Sequence, residues 1–301
     1  MAQYSPLLTI GIPVYNEELY LEKTIKSILN QSYSDFILLI SDNHSTDHSN
    51  QIIRQYAALD SRIKFIQPPE KIRAQYNFRY VAQHANTEYF MWFGGHDILL
   101  DNYLNEGMKI LTSKPDVALV YPKVTYIDKI DNIIPSKEGS NDDLDTIGLS
   151  FHERLYKVAK NTAGCFAIHG LTRTEYAQSA PFEIMLGPDQ LIIFHFAMQG
   201  NLILLNKVGI LGRSIREEET NAEMFKRYIK EGIVDDNMVY YEARTLNYFS
   251  YVLHFRKFSI FSRFKIIFVL LKVFKEKYHV TFKGYIKYFI KKLKDYLSKN
   301  K

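Results

Sequence analysis

The chain has 301 residues, 47% of them hydrophobic, enough for one large α/β domain with an appendage or for two modest domains. Its single cysteine, Cys165, excludes an intrachain disulfide, and the opening MAQYSPLLTI lacks the basic and apolar regions of a secretory signal, so the sequence predicts a body in a reducing cytoplasm. The net charge of +5 is uneven: residues 254–301 carry 14 Lys and Arg against Glu276 and Asp295, a local +12, which leaves −7 for the rest.

Leu7 to Val14 reads as a strand, and Asn16 is placed to cap a helix carrying Glu17 and Glu18 at its positive end and Leu21, Ile25, Ile28 and Leu29 as its apolar stripe. Phe36 to Ile40 is the second strand. Ser45, Thr46 and Asp47 open a helix through Ile52, Ile53 and Tyr56, and Ile63 to Ile66 follows as a strand. A helix from Ala74 to His84, a strand from Tyr89 to Phe93, a helix after Asp101 to Ser113 and a strand from Val117 to Tyr121 continue the alternation of a parallel sheet covered by helices.

Asp128 to Asp145 is polar and rich in turn formers, and reads as a long mobile loop. Pro188 starts a mostly buried helix that Gly200 stops, with Asp189 in its first turn. Beyond Glu217 the pattern is helical to the end, with one stripe through Val239, Ala243, Leu246, Phe249 and Leu253 and another from Phe282 to Leu297. The most apolar run, Phe258 to Phe274, is interrupted by Arg263, Lys265 and Lys272, so no spanning helix is predicted.

Three runs stand at strand ends, where ligands bind in open α/β sheets: TIGIPVYNE (residues 9–17), ISDNHSTD (40–47) and YFMWFGGHD (89–97). In this order and spacing they resemble the family-2 glycosyltransferases of the GT-A fold, over roughly residues 7–215. The resemblance implies a Rossmann-like mixed, mostly parallel sheet flanked by helices for residues 1–216, followed by a basic helical extension over 217–301.

The resemblance also implies roles. Pro13, Tyr15, Asn16 and Glu17 would wall the nucleotide, and Asp42 would accept a hydrogen bond from the base, since an ionised carboxylate only accepts. By residue type alone Asn16 and Asp42 are a helix cap and a turn residue; their joint placement on adjacent strand ends favours the nucleotide. Arg73 faces the nucleotide by analogy, and a guanidinium suits phosphate; a solvated arginine at a helix start is the equal alternative. Gly95-His96-Asp97 aligns with the family's acidic motif, in which a divalent cation neutralises the leaving diphosphate. Only Asp97 is acidic here, so Mg²⁺ or Mn²⁺ would take most ligands from diphosphate and water, with His96 as a candidate helper.

Asp189, in Gly187-Pro188-Asp189-Gln190, resembles the general base of an inverting transfer; it also suits the N-terminus of its helix. His169 to Arg173 resembles a stretch bordering sugar or acceptor, and Arg213 or Arg216 is placed to meet the diphosphate. The implied activity is transfer of a sugar from a nucleoside-diphosphate donor to a hydroxyl of a glycan or lipid-linked glycan in bacterial surface polysaccharide assembly. The alternatives are a nucleotidyltransferase and a non-catalytic sugar-nucleotide-binding or membrane-tethered scaffold. No phosphate-loop, dinucleotide or nucleophile-elbow motif is present, and no nucleic-acid partner is expected.

The basic tail predicts a peripheral contact through 257–301 with the inner face of the cell membrane, where lysines near an anionic surface contribute ~1 kcal/mol each. Because it carries none of the motifs, its removal after about Arg256 is expected to leave the fold intact. The alternative is a helix packed on the catalytic body.

Overall fold

The alternation expected of the first half of the chain forms as β1 (Leu8–Val14), α1 (Leu21–Leu29), β2 (Phe36–Asp42), α2 (Ser49–Leu59), β3 (Ile63–Ile66), α3 (Ala74–Gln83) and β4 (Tyr89–Trp92). Next come β5 (Ile98–Leu99), α4 (Tyr103–Ser113), β6 (Val117–Ile127), β7 (Ile133–Ile134), α5 (Phe151–Asn161), a 3-10 turn (Phe166–His169) and β8 (Leu171–Arg173). α6 (Thr174–Gln178), α7 (Pro188–Gln199), β9 (Asn201–Arg213), α8 (Asn221–Lys230), α9 (Tyr240–His254) and α10 (Ile260–Tyr278) follow. This computed structural model describes residues 7–101, 103–135, 142–183, 187–215, 221–232 and 240–278.

The strands form one mixed sheet in the order β3-β2-β1-β4-β8-β6-β9-β5, with β7 paired to β6. β3, β2, β1 and β4 are mutually parallel, with Leu8 opposite both Phe36 and Tyr89. The short β8 runs antiparallel between β4 and β6, and β9 returns parallel to β6. β1 is buried along almost its whole length because helices cover both faces, which is why it reads as a continuous apolar run.

Side chains alternate between two cores. Ile10, Ile12, Tyr89, Met91 and Phe93 pack with α1 and α4, whereas Phe90 and Trp92 pack with α3, α5 and α7. Gly11 is small because Phe90 crosses it: a Cβ there would lie 2.7 Å from the ring. The second core also takes Tyr248, Phe249, Val252 and Leu253 from α9 and Ile266, Leu270, Val273 and Phe274 from α10. The expectation that the chain could end near Arg256 is therefore wrong, because the stripe of α10 is core. The stripe from Phe282 to Leu297 lies outside the described residues.

Three local expectations change. Asn16 does not cap α1, which opens at Leu21 behind Tyr20; its backbone is left-handed (φ 55°) and its amide is used elsewhere. Ser45 does not open α2, which begins at Ser49, and Asp47 instead accepts the Ser49 N–H. Of the polar stretch after Asp128, residues 136–141 lie outside the described residues, and the two flanking parts are anchored. Asp128 accepts from the Ile130 and Asn132 N–H groups, and Leu144 is fully buried with its N–H donated to the Tyr121 hydroxyl.

α7 is buried on nearly every side, so its polar members need partners. His195 is fully buried; its Nε2–H donates to the Tyr176 carbonyl at 3.0 Å, and Nδ1 accepts from the Tyr251 hydroxyl. Burial pushes this imidazole down to about 4. A lowered folded value means that its stability contribution is complete above the usual 6.5 and is lost as pH falls towards 4, at most about 3 kcal/mol. Urea unfolding at pH 7 and pH 4.5 should show that loss, and His195→Gln, with no ring to protonate, should lose less over the same range. Equal losses would place the acid sensitivity elsewhere.

Candidate active site

The carboxyl ends of β1, β2 and β4 open into a cleft of about 830 Å³. Pro13, Tyr15 and Glu17 form one wall, Arg73 and Asn77 at the start of α3 another, and Gly94, Gly95 and His96 the floor. Tyr126 and Phe166 close the far side, their rings edge-on with centroids 5.2 Å apart.

The strand ends are braced against each other. Asn16 Oδ1 accepts the Thr46 N–H at 2.8 Å, and the Asn16 N–H donates to Ser45 Oγ at 3.0 Å. Asn16 and His44 both sit in left-handed backbone, conformations that these two residue types tolerate better than most. Asp42 is fully buried and its carboxylate accepts from the Ser45 N–H, the Asn50 amide and the Gln67 amide. Asn16 and Asp42 thus shape the cleft from behind, and Asn43 is the residue of this strand end that lines it.

Cationic groups gather at the mouth. Lys71 donates to the Tyr15 hydroxyl at 2.6 Å with its ammonium over the ring, and Arg73 pairs with Glu231 at 3.1 Å. The pair Lys71 and Arg73 immediately before a helix start is a basic signal that could have flagged Lys71. Nothing local to Tyr126 or Phe166 marks them as cleft residues.

At the floor, His96 Nδ1 donates to Glu17 Oε1 at 3.0 Å, which leaves Nε2 directed towards Asp97, 4.0 Å from Oδ1. Asp97 is buried, its Oδ1 accepting the Arg213 N–H at 2.8 Å. Its Oδ2 lies so close to Gly94 that a Cβ there would meet it at 2.4 Å, so glycine is required for the carboxylate to fold back under the cleft. Among the described residues no three His, Cys, Asp or Glu side chains form a metal cluster. Two ligands, Asp97 and His96 Nε2, fit a divalent cation that takes its other ligands from diphosphate oxygens and water. A carboxylate fixing the other imidazole nitrogen is the arrangement that orients metal-binding histidines.

Arg213 does not extend to a diphosphate. Its guanidinium is occupied by the His96 and Asp128 carbonyls and by Asp131. Arg216 lies outside the described residues.

Asp189 is not among the residues that line the cleft; its side-chain neighbours are Cys165 and His169, at either end of the 3-10 turn that carries Phe166. Gly187, in left-handed backbone at φ 66°, and Pro188 start α7 and set Asp189 in its first turn. Burial raises its carboxyl above the ordinary range, opposed by His169 and by the Cys165 thiol, which donates to it. His169 Nδ1 donates to the Trp92 carbonyl at 3.1 Å and its ring leans on Phe166, so this residue links the end of β4 to the surroundings of Asp189. Arg244 of α9 packs against Gly187, where a Cβ would lie 3.1 Å from Nε.

Comparison with known proteins agrees with this geometry. The Glycosyl transferase family 2 model matches residues 9–175. The "GalNAc(5)-diNAcBac-PP-undecaprenol beta-1,3-glucosyltransferase" of Campylobacter jejuni is 30% identical over 105 residues, 35% of this chain and 34% of that protein. The chain aligns with less than half the length of the curated relatives it matches. Among solved structures, S. aureus TarS 1-349 in complex with UDP-GlcNAc superposes with a TM-score of 0.59 at 15% identity, over 89% of this chain and 72% of that one. The mannosyltransferase PcManGT of Pyrobaculum calidifontis, solved with GDP-Man and Mn²⁺, gives 0.53 at 15% identity, over 90% and 70%. These similarities match the expected GT-A architecture, and the family match covers more than half of the sequence. The chain belongs to glycosyl transferase family 2.

Proposed function

We propose that the protein is an inverting glycosyltransferase that moves a sugar from a nucleoside-diphosphate donor to a hydroxyl of a glycan or lipid-linked glycan, in bacterial surface polysaccharide assembly. The observation that carries this reading is the single cleft in which Pro13, Tyr15, Glu17, Arg73 and His96 converge above Asp97. Residues 1–216 are read as the catalytic unit and 217–301 as its helical extension. The C. jejuni relative, whose name specifies a polyprenyl-linked acceptor, supports the lipid-linked alternative.

In this reading Tyr15 and Asn43 border the nucleoside, and Lys71 and Arg73 lie where they can neutralise the diphosphate, Arg73 after exchanging Glu231 for phosphate. Asn16 and Asp42 act by bracing the strand ends. Asp189 takes the proton of the acceptor hydroxyl as its oxygen bonds to the anomeric carbon from the face opposite the diphosphate. The carbon–oxygen bond to the diphosphate breaks as the new one forms, which inverts the centre. A carboxylate raised by burial is a stronger base than an exposed one, as the role requires.

Asp97 and His96 would hold Mg²⁺ or Mn²⁺, which supplies charge neutralisation for the departing diphosphate. Mn²⁺ is expected to strengthen donor binding, and Asp97→Ala to abolish the gain, as read by calorimetry with metal and with chelator. Identical wild-type affinities in the two conditions would remove the cation from the mechanism. A panel of nucleotide sugars scored for transfer and for the nucleotide released tests the whole reading. Pyrophosphate release would make the protein a nucleotidyltransferase, and binding without turnover would make it a scaffold.

The membrane contact is proposed for α10 and the residues after it. Phe261 and Phe268 are 67% and 71% exposed, with Lys265 and Lys272 exposed around them, a mix that suits the headgroup region of an anionic bilayer. No helix among the described residues is long and apolar enough to cross a membrane.

A further inference from the structure

Arg213 borders the cleft, yet its side chain is only 1% exposed and its guanidinium is held within the protein by the His96 and Asp128 carbonyls and the Asp131 carboxylate. Two of its donors hold the floor of the cleft: the backbone N–H reaches Asp97 Oδ1 at 2.8 Å, and Nε–H reaches the His96 carbonyl at 2.9 Å. The other end of the guanidinium is held by the β6–β7 turn, where Nη1 donates to the Asp128 carbonyl at 2.9 Å and Nη2 pairs with Asp131 at 2.5 Å. Its planar face rests on Tyr20, 4.5 Å from the ring centroid.

The turn is built to present that carboxylate. Asp128 Oδ1 accepts both the Ile130 and Asn132 N–H groups, and Asp131 adopts left-handed backbone at φ 72°. Asp131 also pairs with Lys23 of α1, so one carboxylate ties the helix after the first motif, the hairpin and the end of β9 together. Lys23 and Arg213 hold it below the usual carboxylate range.

We propose that Asp131 is a positioning residue for the cation-binding step formed by His96 and Asp97, acting through Arg213; this rests on the cation reading given above. A guanidinium is a rigid planar fork, so anchoring Nη1 and Nη2 at the hairpin fixes where Nε points, and Nε holds the peptide between His96 and Asp97. A buried guanidinium deprived of its counter-charge turns towards water, here towards the cleft, and releases that peptide. With Asp97 the one acidic residue of the Gly95-His96-Asp97 step, the site has little redundancy, so the orientation of Asp97 decides whether a cation is held. Groups that orient metal ligands typically change affinity ~10–100-fold when lost.

The test titrates UDP and GDP calorimetrically into the full-length protein with Mn²⁺ and with EDTA. Asp131→Asn removes the charge and nearly keeps the shape. The wild type is expected to bind one of the nucleotides more tightly with Mn²⁺, and Asp131→Asn to lose at least ~10-fold of that gain with its affinity in EDTA unchanged. Arg213→Lys, which keeps the charge but not the fork, should lose the gain as well, and Asp131→Glu should recover most of it. An undiminished Mn²⁺ gain in folded Asp131→Asn overturns the proposal. So does an equal loss with Mn²⁺ and with EDTA, which would make Asp131 a general support of the cleft. If Asp131→Asn does not fold, Arg213→Lys decides by the same Mn²⁺ gain. A wild type that ignores Mn²⁺ overturns the cation reading together with this one, so the wild-type titration separates the two failures.

Discussion

Asp189→Asn is expected to keep nucleotide-sugar binding and to lose transfer at least ~10²-fold, the usual scale of a positioned general base. The amide nearly preserves the shape of the α7 N-terminus but cannot take the acceptor proton. The pH profile should carry the same signature. Because burial raises the folded carboxyl above the ordinary range, wild-type turnover falls as pH drops through that raised value, where an exposed aspartate would still be ionised. That acid limb should be missing from the residual activity of Asp189→Asn. Near-normal turnover in the variant would reject Asp189 as the base and turn attention to His169, the titratable side chain that links β4 to the same turn.

Deleting the chain after about Arg256 is expected to unfold it. Ile266, Ile267, Leu270, Val273 and Phe274 are all essentially buried, in the core that α10 shares with α5 and α9. At ~1.5–3 kcal/mol for each fully buried side chain, their loss matches the ~5–15 kcal/mol that holds a typical domain together. Lys277 would go too, and with it the donor that caps the Thr162 carbonyl at 2.8 Å beyond the end of α5. Expression of the truncated chain should give insoluble protein or a broad, weak thermal transition; a sharp transition near that of the full chain would show that α10 is dispensable. Truncation therefore cannot test membrane binding, and point changes in the full chain must. Full-length protein should sediment with anionic liposomes at low salt and be released as salt screens the lysines within ~8 Å. Phe268→Glu should prevent sedimentation without unfolding the protein, because that ring faces solvent.

How much of this was legible in the sequence follows from how local each determinant is. Strands β1 to β4 and helices α1, α3, α4 and α7 were readable because period and burial agree within each element: Leu21, Ile25 and Ile28 all enter the core. The three motif runs located the cleft for the same reason, since the ends of adjacent parallel strands must share one edge of the sheet. The side-chain partners were not local. Asn16 has the composition of a helix cap, but Thr46, 30 residues on, takes its amide. Asp42 has the acceptor chemistry for a base, and in this structure its carboxylate accepts from Asn50 and Gln67, partners 8 and 25 residues away. The short β8, antiparallel between β4 and β6, carries no periodic signal in three residues, and only the sheet could place it. The tail shows the limit most plainly. A lysine-rich apolar helix reads the same whether its apolar face meets lipid or core, because charge and hydropathy describe the helix and not its neighbour. Only the packing of Leu270 and Phe274 against α9 and the rest of the core decided that most of that face is interior, with Phe261 and Phe268 left outside.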